Sequence, residues 1–210
     1  MTICFCFPAI DGRLNDSMLE MKRLAQQAGH AVVQLSASPH DRARGMIASQ
    51  ALATGADWLI WCDDDQVATF DQAIGLVATA ESMGADLMSG MYVCRHLAER
   101  GEMAPNFSPR VGGKFTIGEG GGPYPITSCG FGFVAVHRRV FEKIDAPVCE
   151  YGKAWFLPLV EDGYHLGEDR SFGVRADRAG CQLYVDTRCL VGHVGKRVYW
   201  PQDFLGAVSA

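Results

Sequence analysis

Asp63, Asp64 and Asp65 follow directly on five apolar residues, Trp58 to Cys62. Adjacent carboxylates repel one another, so three anions in a row need a counter-charge. A hard divalent cation supplies one economically, because Mg2+ or Mn2+ takes one or two carboxylates and completes its shell with phosphate oxygens. Taken alone, such a run is more often a solvated acidic turn at a strand end. Its setting in the chain decides between the two. A second acidic pair, Glu168-Asp169, opens a helix-like stretch, where the helix dipole favours acids whatever their chemistry.

These residues are positioned by an alternating pattern. Trp58 to Cys62 is too short for a free-standing helix and fits a strand buried on both faces. Ahead of it, residues 2–7 read as a first strand closed by Pro8 and Asp11-Gly12. Leu14, Met18, Met21, Ala25 and Ala28 recur at helical steps, and Gly29 stops that helix. Ala31 to Leu35 is a second strand, and a helix runs from about Asp41 to Thr54 with Gly55 as its stop. A third helix opens on a capping box, Thr69 with Gln72, and runs to Gly84. Asp86 to Tyr92 is a fourth strand. This order predicts a parallel α/β sheet with right-handed crossovers. Ligands bind beyond the carboxyl ends of such strands, and Asp11, Asp41 and Asp63–Asp65 all fall there.

The periodicity lapses between about residues 95 and 125, where Gly112-Gly113 and Gly118-Glu119-Gly120-Gly121-Gly122 lie. The stretch lacks the Lys-Ser/Thr ending and following helix of a P-loop, which leaves a mobile loop over a site or a surface excursion. Residues 126–136 resume as a strand and pass into a helix from Arg138 to Ile144. Gly130 and Gly132 within that strand call for a bulge or a close backbone approach. Tyr151, Trp155, Phe156 and Leu157 form an aromatic patch that serves equally as core or as a platform for a flat acceptor. A helix follows Gly167-Glu168-Asp169 as far as Gly180, then a strand Cys181–Val185.

Global numbers exclude several classes. The chain has 210 residues, 48% of them hydrophobic and 20% charged, enough for one large domain with a proper core and unlike a disordered chain. A net charge of −5 without a basic stripe argues against stable nucleic-acid binding. The eight cysteines fall in no C-x-x-C spacing, so zinc or a disulfide framework is not expected. No run reaches membrane-spanning length and no signal peptide opens the chain, which makes the cytoplasm the expected compartment.

The ordered set of motifs resembles a family. Pro-Ala-x-Asp-Gly, Ala-Arg-x on a helix, Gly-Ala-Asp-Trp-Leu-Ile-Trp-Cys-Asp-Asp-Asp and Gly-Phe-Gly-Phe-Val-Ala-Val-His-Arg-Arg-Val-Phe come in turn. Gly-Glu-Asp, Ala-Gly-Cys-Gln-Leu-Tyr-Val-Asp and Gly-His-Val-Gly complete it. Over residues 2 to 197 this is similar to GT-A-type nucleotide-sugar glycosyltransferases, in particular small family-2-like bacterial and phage-type members. The resemblance implies a single GT-A (Rossmann-like) domain over 1–210, with a mostly parallel central sheet flanked by helices. About 1–92 would form the nucleotide-binding half and about 126–200 the acceptor half, with a flexible loop over 95–125.

It further implies metal-dependent transfer of a sugar from a UDP- or GDP-sugar to a glycan or other hydroxyl acceptor. Inversion is the expected outcome, although the same metal site serves retaining and inverting members and the motifs do not fix it. Asp63 and Asp65 match the Asp-x-Asp motif that holds Mn2+ or Mg2+ against the donor diphosphate, and His193 matches a histidine that completes the metal shell. Asp169 matches the general base, with Glu168 supporting it. Asp11, Asp41, Arg44, Asp64, Lys196 and Arg197 would lie around the nucleotide. One departure is Leu35-Ser36-Ala37-Ser38, where many relatives carry an aspartate that reads uracil. A sugar-phosphate nucleotidyltransferase would carry a basic Gly-rich loop after the first strand, and residues 8–13 are a poor version of one. A non-catalytic carbohydrate-binding or assembly protein on the same fold would tolerate loss of the acidic motifs.

Overall fold

A strand with no polar alternation must have apolar cover on both sides, and Trp58–Cys62 is buried at every position. The computed structural model describes residues 1–9, 12–36, 39–102 and 104–204. In chain order the elements are β1 (Ile3–Pro8), α1 (Asp16–Gln27), β2 (Ala31–Leu35), α2 (His40–Ala53), β3 (Trp58–Cys62), β4 (Gln66–Val67), α3 (Phe70–Met83), β5 (Leu87–Met91) and α4 (Arg95–Ala98). Then come β6 (Phe107–Pro109), β7 (Pro123–Cys129), β8 (Phe133–His137), α5 (Arg138–Lys143), β9 (Val148–Cys149) and β10 (Gly152–Lys153). The chain continues with β11 (Leu159–Glu161), β12 (Tyr164–Leu166), α6 (Glu168–Arg178), β13 (Leu183–Leu190), β14 (Gly192–Val194), β15 (Val198–Tyr199) and a 3-10 turn, Pro201–Phe204.

An eight-stranded sheet in the order β2-β1-β3-β8-β5-β13-β7-β6 forms the middle layer. Alternation along each strand sends side chains to two cores. On one side Cys4, Cys6, Leu59 and Trp61 meet Ile47, Ala48 and Ala51 of α2 and Phe172 and Ala176 of α6. On the other, Phe5, Phe7, Trp58 and Ile60 meet Met18, Met21 and Ala25 of α1 and Leu76, Val77 and Ala80 of α3. The helix signals read from the sequence hold locally. The Thr69–Gln72 capping box is formed, and α3 stops at Gly84 in the left-handed conformation, φ 67°.

The sheet departs from a parallel run at one place with consequences for the site. Residues 126–136 do not make one strand. The chain breaks at Gly130-Phe131-Gly132, leaving β7 beside β13 and carrying β8 between β3 and β5, antiparallel to both. The sheet is therefore mixed, with β7 and β8 running against the other strands. Both glycines of the break are explained by Tyr92. A Cβ on Gly130 would overlap the Tyr92 hydroxyl and one on Gly132 would stand 2.9 Å from it, while the Gly132 N–H donates to that oxygen at 2.9 Å.

Two other expectations resolve in the packing. Trp155 and Phe156 are core residues, with Phe156 edge-on to Trp61 and Phe131 and stacked on Phe172. Tyr151 is only partly buried and Leu157 is exposed. The stretch 95–125 contains α4 and β6 and gathers the rings of Phe107, Phe115 and Tyr124. Its glycine-rich part lies along β13, where the Gly118 N–H donates to the Thr187 carbonyl at 2.9 Å.

Asp86, buried ahead of β5, ties three elements together. It accepts from the Gln182 N–H at 2.8 Å, and Arg139 and Lys143 of α5 pair with it. Burial pushes its carboxyl up, but Arg139, the Gln182 N–H and Lys143 outweigh burial and hold it below the usual range. The folded value lies below the unfolded one, so this stabilisation is present above about pH 4 and is lost as pH falls through the lowered value. Asp86→Asn should cost about 1–3 kcal/mol at pH 6. Urea denaturation of both proteins at pH 6 and pH 3.5 checks this, because the difference must shrink at the lower pH.

Candidate functional site

Beyond the carboxyl ends of β1, β3 and β5, the end of β3 is held from two sides. Asn15 caps α1 through its Oδ1, and its amide donates to the carbonyls of Asp64 (2.9 Å) and Gln66 (2.7 Å). The Asp63 N–H donates to the Gly132 carbonyl at 2.8 Å. The acidic turn is thereby pinned to α1 and to the β7–β8 break, and it opens on a cavity of about 570 Å3. Asp63, Asp65, Arg44, Glu168, Asp169 and His193 all line this cavity. A smaller cavity of about 190 Å3 adjoins it, sharing His40, Asp63, Asp65 and Arg95 and adding Asp64, Pro8 and Ala9.

The counter-charge at Asp63 is an arginine. Arg44, on α2 and 4% exposed, donates to Asp63 Oδ2 at 2.9 Å and stands 3.5 Å from Glu168 Oε1. The rings of Trp61 and Phe131 flank it, 5.9 and 5.6 Å from their centroids. Burial disfavours its charge, yet Asp63, Glu168 and Asp169 outweigh burial and keep it fully ionised. Its Nε and Nη1, with Asp63 Oδ1 and Gln66 Oε1, are buried without a hydrogen-bond partner. All four atoms belong to residues lining the one cavity, where a bound polar molecule can satisfy them. Burial lifts the Asp63 carboxyl above its usual range, and Arg44 pulls back only part of that.

Asp65 faces the other way. The short ladder β15-β14-β4 pairs His193 with Gln66 and sends the Val194 N–H to the Asp65 carbonyl at 2.8 Å. That register brings His193 Nε2 to 3.2 Å from Asp65 Oδ2. The other ring nitrogen, Nδ1, lies 2.8 Å from the Val93 carbonyl, which can only accept, so Nδ1 carries a hydrogen. Nε2 then faces a carboxylate either bare or protonated. Burial pulls the imidazole down, but Asp65 and the Val93 carbonyl outweigh it and raise its pKa. Burial pushes Asp65 up, while His193, Gln66 and Arg95 outweigh it and hold it below the usual range.

A proton between these two groups is replaceable by a divalent cation. A histidine whose second nitrogen is fixed by a backbone carbonyl is a common ligand arrangement, and one carboxylate with one imidazole leaves most of an octahedral shell to water and phosphate. Asp65 and His193 fit Mn2+ or Mg2+ on that ground. The trio with Asp63 is not assembled, because Arg44 holds Asp63. Among the described residues no three ligating side chains gather around one point.

Glu168 and Asp169 open α6, with Gly167 as its N-cap. Burial and the neighbouring Glu168 raise the Asp169 carboxyl above its usual range against the pull of Arg44, towards the poise of a general base. Asp41 stands in the first turn of α2 but lines neither cavity. Lys196 pairs with Glu99 at 3.9 Å and Arg197 with Asp203 at 2.9 Å, and they too line neither cavity. Asp11 lies outside the described residues. The cavity wall includes residues that the motifs do not single out: Tyr92, Gln66, His40, Arg95 and Arg170. Gln66 carried a signal, being a polar residue directly after the acidic run. Arg95 carried none beyond its place just after the fourth strand.

No family model and no curated protein matches the sequence. Solved structures do match the fold. The protein A197 from STIV aligns with TM-score 0.68 at 19% identity, covering 96% of this chain and 91% of that one. GalNAc-T7, in a crystal structure with UDP, GalNAc and Mn2+, aligns with TM-score 0.53 at 13% identity, over 93% of this chain and 44% of that one. S. aureus TarS 1–349, in complex with UDP-GlcNAc, aligns with TM-score 0.49 at 11% identity, over 95% and 58%. The chain has the α/β fold of the GT-A glycosyltransferases, a mixed eight-stranded sheet between helices.

Arg44 is the test of how the acidic groups coexist. Arg44→Met keeps the bulk but strands Asp63 and Glu168 without their cation, which should cost about 3 kcal/mol at pH 7. Protonating Asp63 removes part of that penalty, so the deficit should narrow at pH 5. Equilibrium denaturation of both proteins at the two pH values measures it.

Proposed function

We propose that the protein is a metal-dependent glycosyltransferase that moves a sugar, with inversion, from a nucleoside-diphosphate sugar to an acceptor hydroxyl. The observation that carries this reading is the meeting, on one cavity of a GT-A fold, of the Asp65–His193 pair with Glu168 and Asp169. That GalNAc-T7 shares the fold in a structure with UDP, GalNAc and Mn2+ supports it.

A divalent cation held by Asp65 and His193 would supply positive charge where the diphosphate leaves. This chain's own residues do the rest. His193 is oriented by Val93, and Asp65 is fixed through the β4–β14 ladder. Asp169 takes the proton of the attacking hydroxyl, its raised pKa shortening the gap to the alcohol. Glu168 is kept in place by Arg44, which also holds Asp63 clear of the cation seat and leaves its own N–H groups for substrate oxygens. Asp64 lines the smaller cavity with Pro8 and Ala9, a place for part of the nucleoside. Residues 104–108 of the 95–125 stretch form the far wall of the large cavity, where the acceptor would enter.

Calorimetry of a nucleotide-sugar panel with Mn2+ should find one UDP- or GDP-sugar that binds, with binding lost on chelation. Asp65→Asn should lose that binding. Asp169→Asn should keep it within a few-fold while turnover, read as nucleoside diphosphate released from bound donor, falls ~10²–10⁴-fold. Normal turnover by a folded Asp169→Asn protein would remove it from the mechanism. Tight carbohydrate binding with no donor binding would support the non-catalytic alternative instead.

A further inference from the structure

One cation already reaches the cation seat. Arg95, the first residue of α4, donates from Nη1 to Asp65 Oδ2 at 2.8 Å and to the Val194 carbonyl at 3.2 Å. Oδ2 is also the oxygen that His193 Nε2 faces. The guanidinium thus shares the carboxylate oxygen that a divalent ion would take. Nothing buries it there, since the side chain is 45% exposed, and it lines both cavities.

The seat for this arginine is built into the β14–β15 turn. A Cβ on Gly195 would stand 2.9 Å from both Cγ and Cδ of Arg95 and 2.8 Å from Glu99 Oε1. Gly195 is not in the left-handed region, so the space it leaves is what distinguishes it from any other residue. The second glycine of Gly-His-Val-Gly makes room for the arginine stem. Arg95 sits where Asp65, the ion and a diphosphate would meet, with a flexible stem and a fork suited to phosphate oxygens.

Resting on the metal-dependent reading above, we propose that Arg95 is an exchangeable cation. It neutralises Asp65 while no divalent ion is bound, then gives up that carboxylate on loading and turns its guanidinium to the donor's diphosphate. Two opposite effects follow from one side chain. Removing it should help the bare ion, which no longer competes for Asp65, and should harm the diphosphate, which loses a bidentate partner.

The experiment measures two affinities on the full chain: Mn2+ alone, by electron paramagnetic resonance of the free ion, and pyrophosphate at saturating Mn2+, by calorimetry. Arg95→Gln should bind Mn2+ about two- to fivefold more tightly, the factor an exposed ion pair commands. It should bind pyrophosphate about tenfold or more weakly, as expected for lost charge-assisted hydrogen bonds. Gly195→Ala displaces the stem but keeps the charge, so Mn2+ should tighten while pyrophosphate loses less than in Arg95→Gln. Arg197→Gln, whose arginine pairs with Asp203 away from both cavities, should change neither. Unchanged or weaker Mn2+ binding by Arg95→Gln overturns the exchange, and unchanged pyrophosphate binding overturns the diphosphate role. If neither the wild type nor Arg95→Gln binds Mn2+, the metal-dependent reading itself falls and takes this one with it. Binding of Mn2+ by the variant alone would support the exchange in its strongest form.

Discussion

A guanidinium taken almost wholly out of water is costly unless carboxylates surround it, and Arg44 sets the terms for everything near it. It comes from α2, pairs with Asp63 at the end of β3 and stands beside Glu168 at the start of α6. Two consecutive elements, α2 and β3, and a helix far along the chain, α6, are thus locked to one charge. Trp61 and Phe131 lower the local dielectric around it, which strengthens those attractions and would penalise any loss of partner. The acidic groups consequently divide into two sets, Asp63 and Glu168 on the arginine and Asp65 on His193.

That division bears on how a triple-aspartate run is read. Equal spacing suggests equal roles, yet each aspartate has a different neighbour. Asp63 meets α2, Asp64 points to the side of β1, and Asp65 meets β14. The turn decides this: β3 ends at Cys62, and beyond it the Gln66 N–H donates to the Asp63 carbonyl at 3.2 Å, so strand alternation no longer sets where Asp64 and Asp65 go.

Much of the fold is legible in local signals. Gly29, Gly84 and Gly180 take up positive φ just after their helices, and the Thr69–Gln72 box opens α3, because caps are satisfied by residues within one turn. The Asp-run, His193 and the Glu168-Asp169 pair could be placed at one cavity because parallel strands present their carboxyl ends together. The reversal of β8 could not be read, since a buried strand is apolar on both faces whichever way it runs. Lys196 and Arg197 show the same gap. Their charge suits a diphosphate, but only the β14–β15 turn settles that they face Glu99 and Asp203. Trp155 and Phe156 had two fitting roles, and the aromatic cluster around Phe172 claimed them for the core.

The position of β8 governs when this molecule can come together on the ribosome. β3 and β5 are consecutive strands of the large sheet in sequence but not neighbours in space, and the strand that fills the gap between them starts about forty residues after β5 ends. A chain ending short of Phe133 carries one unpaired inner edge on β3 and two on β5, whose partners β8 and β13 both come later, and these strands are largely apolar. Pairings of such long sequence separation are slow to form, and the Asp63 backbone itself waits for the Gly132 carbonyl. Nascent chains are therefore most open to aggregation and to chaperone capture in the interval between synthesis of β5 and of β8, and the acidic turn is set only when that interval closes.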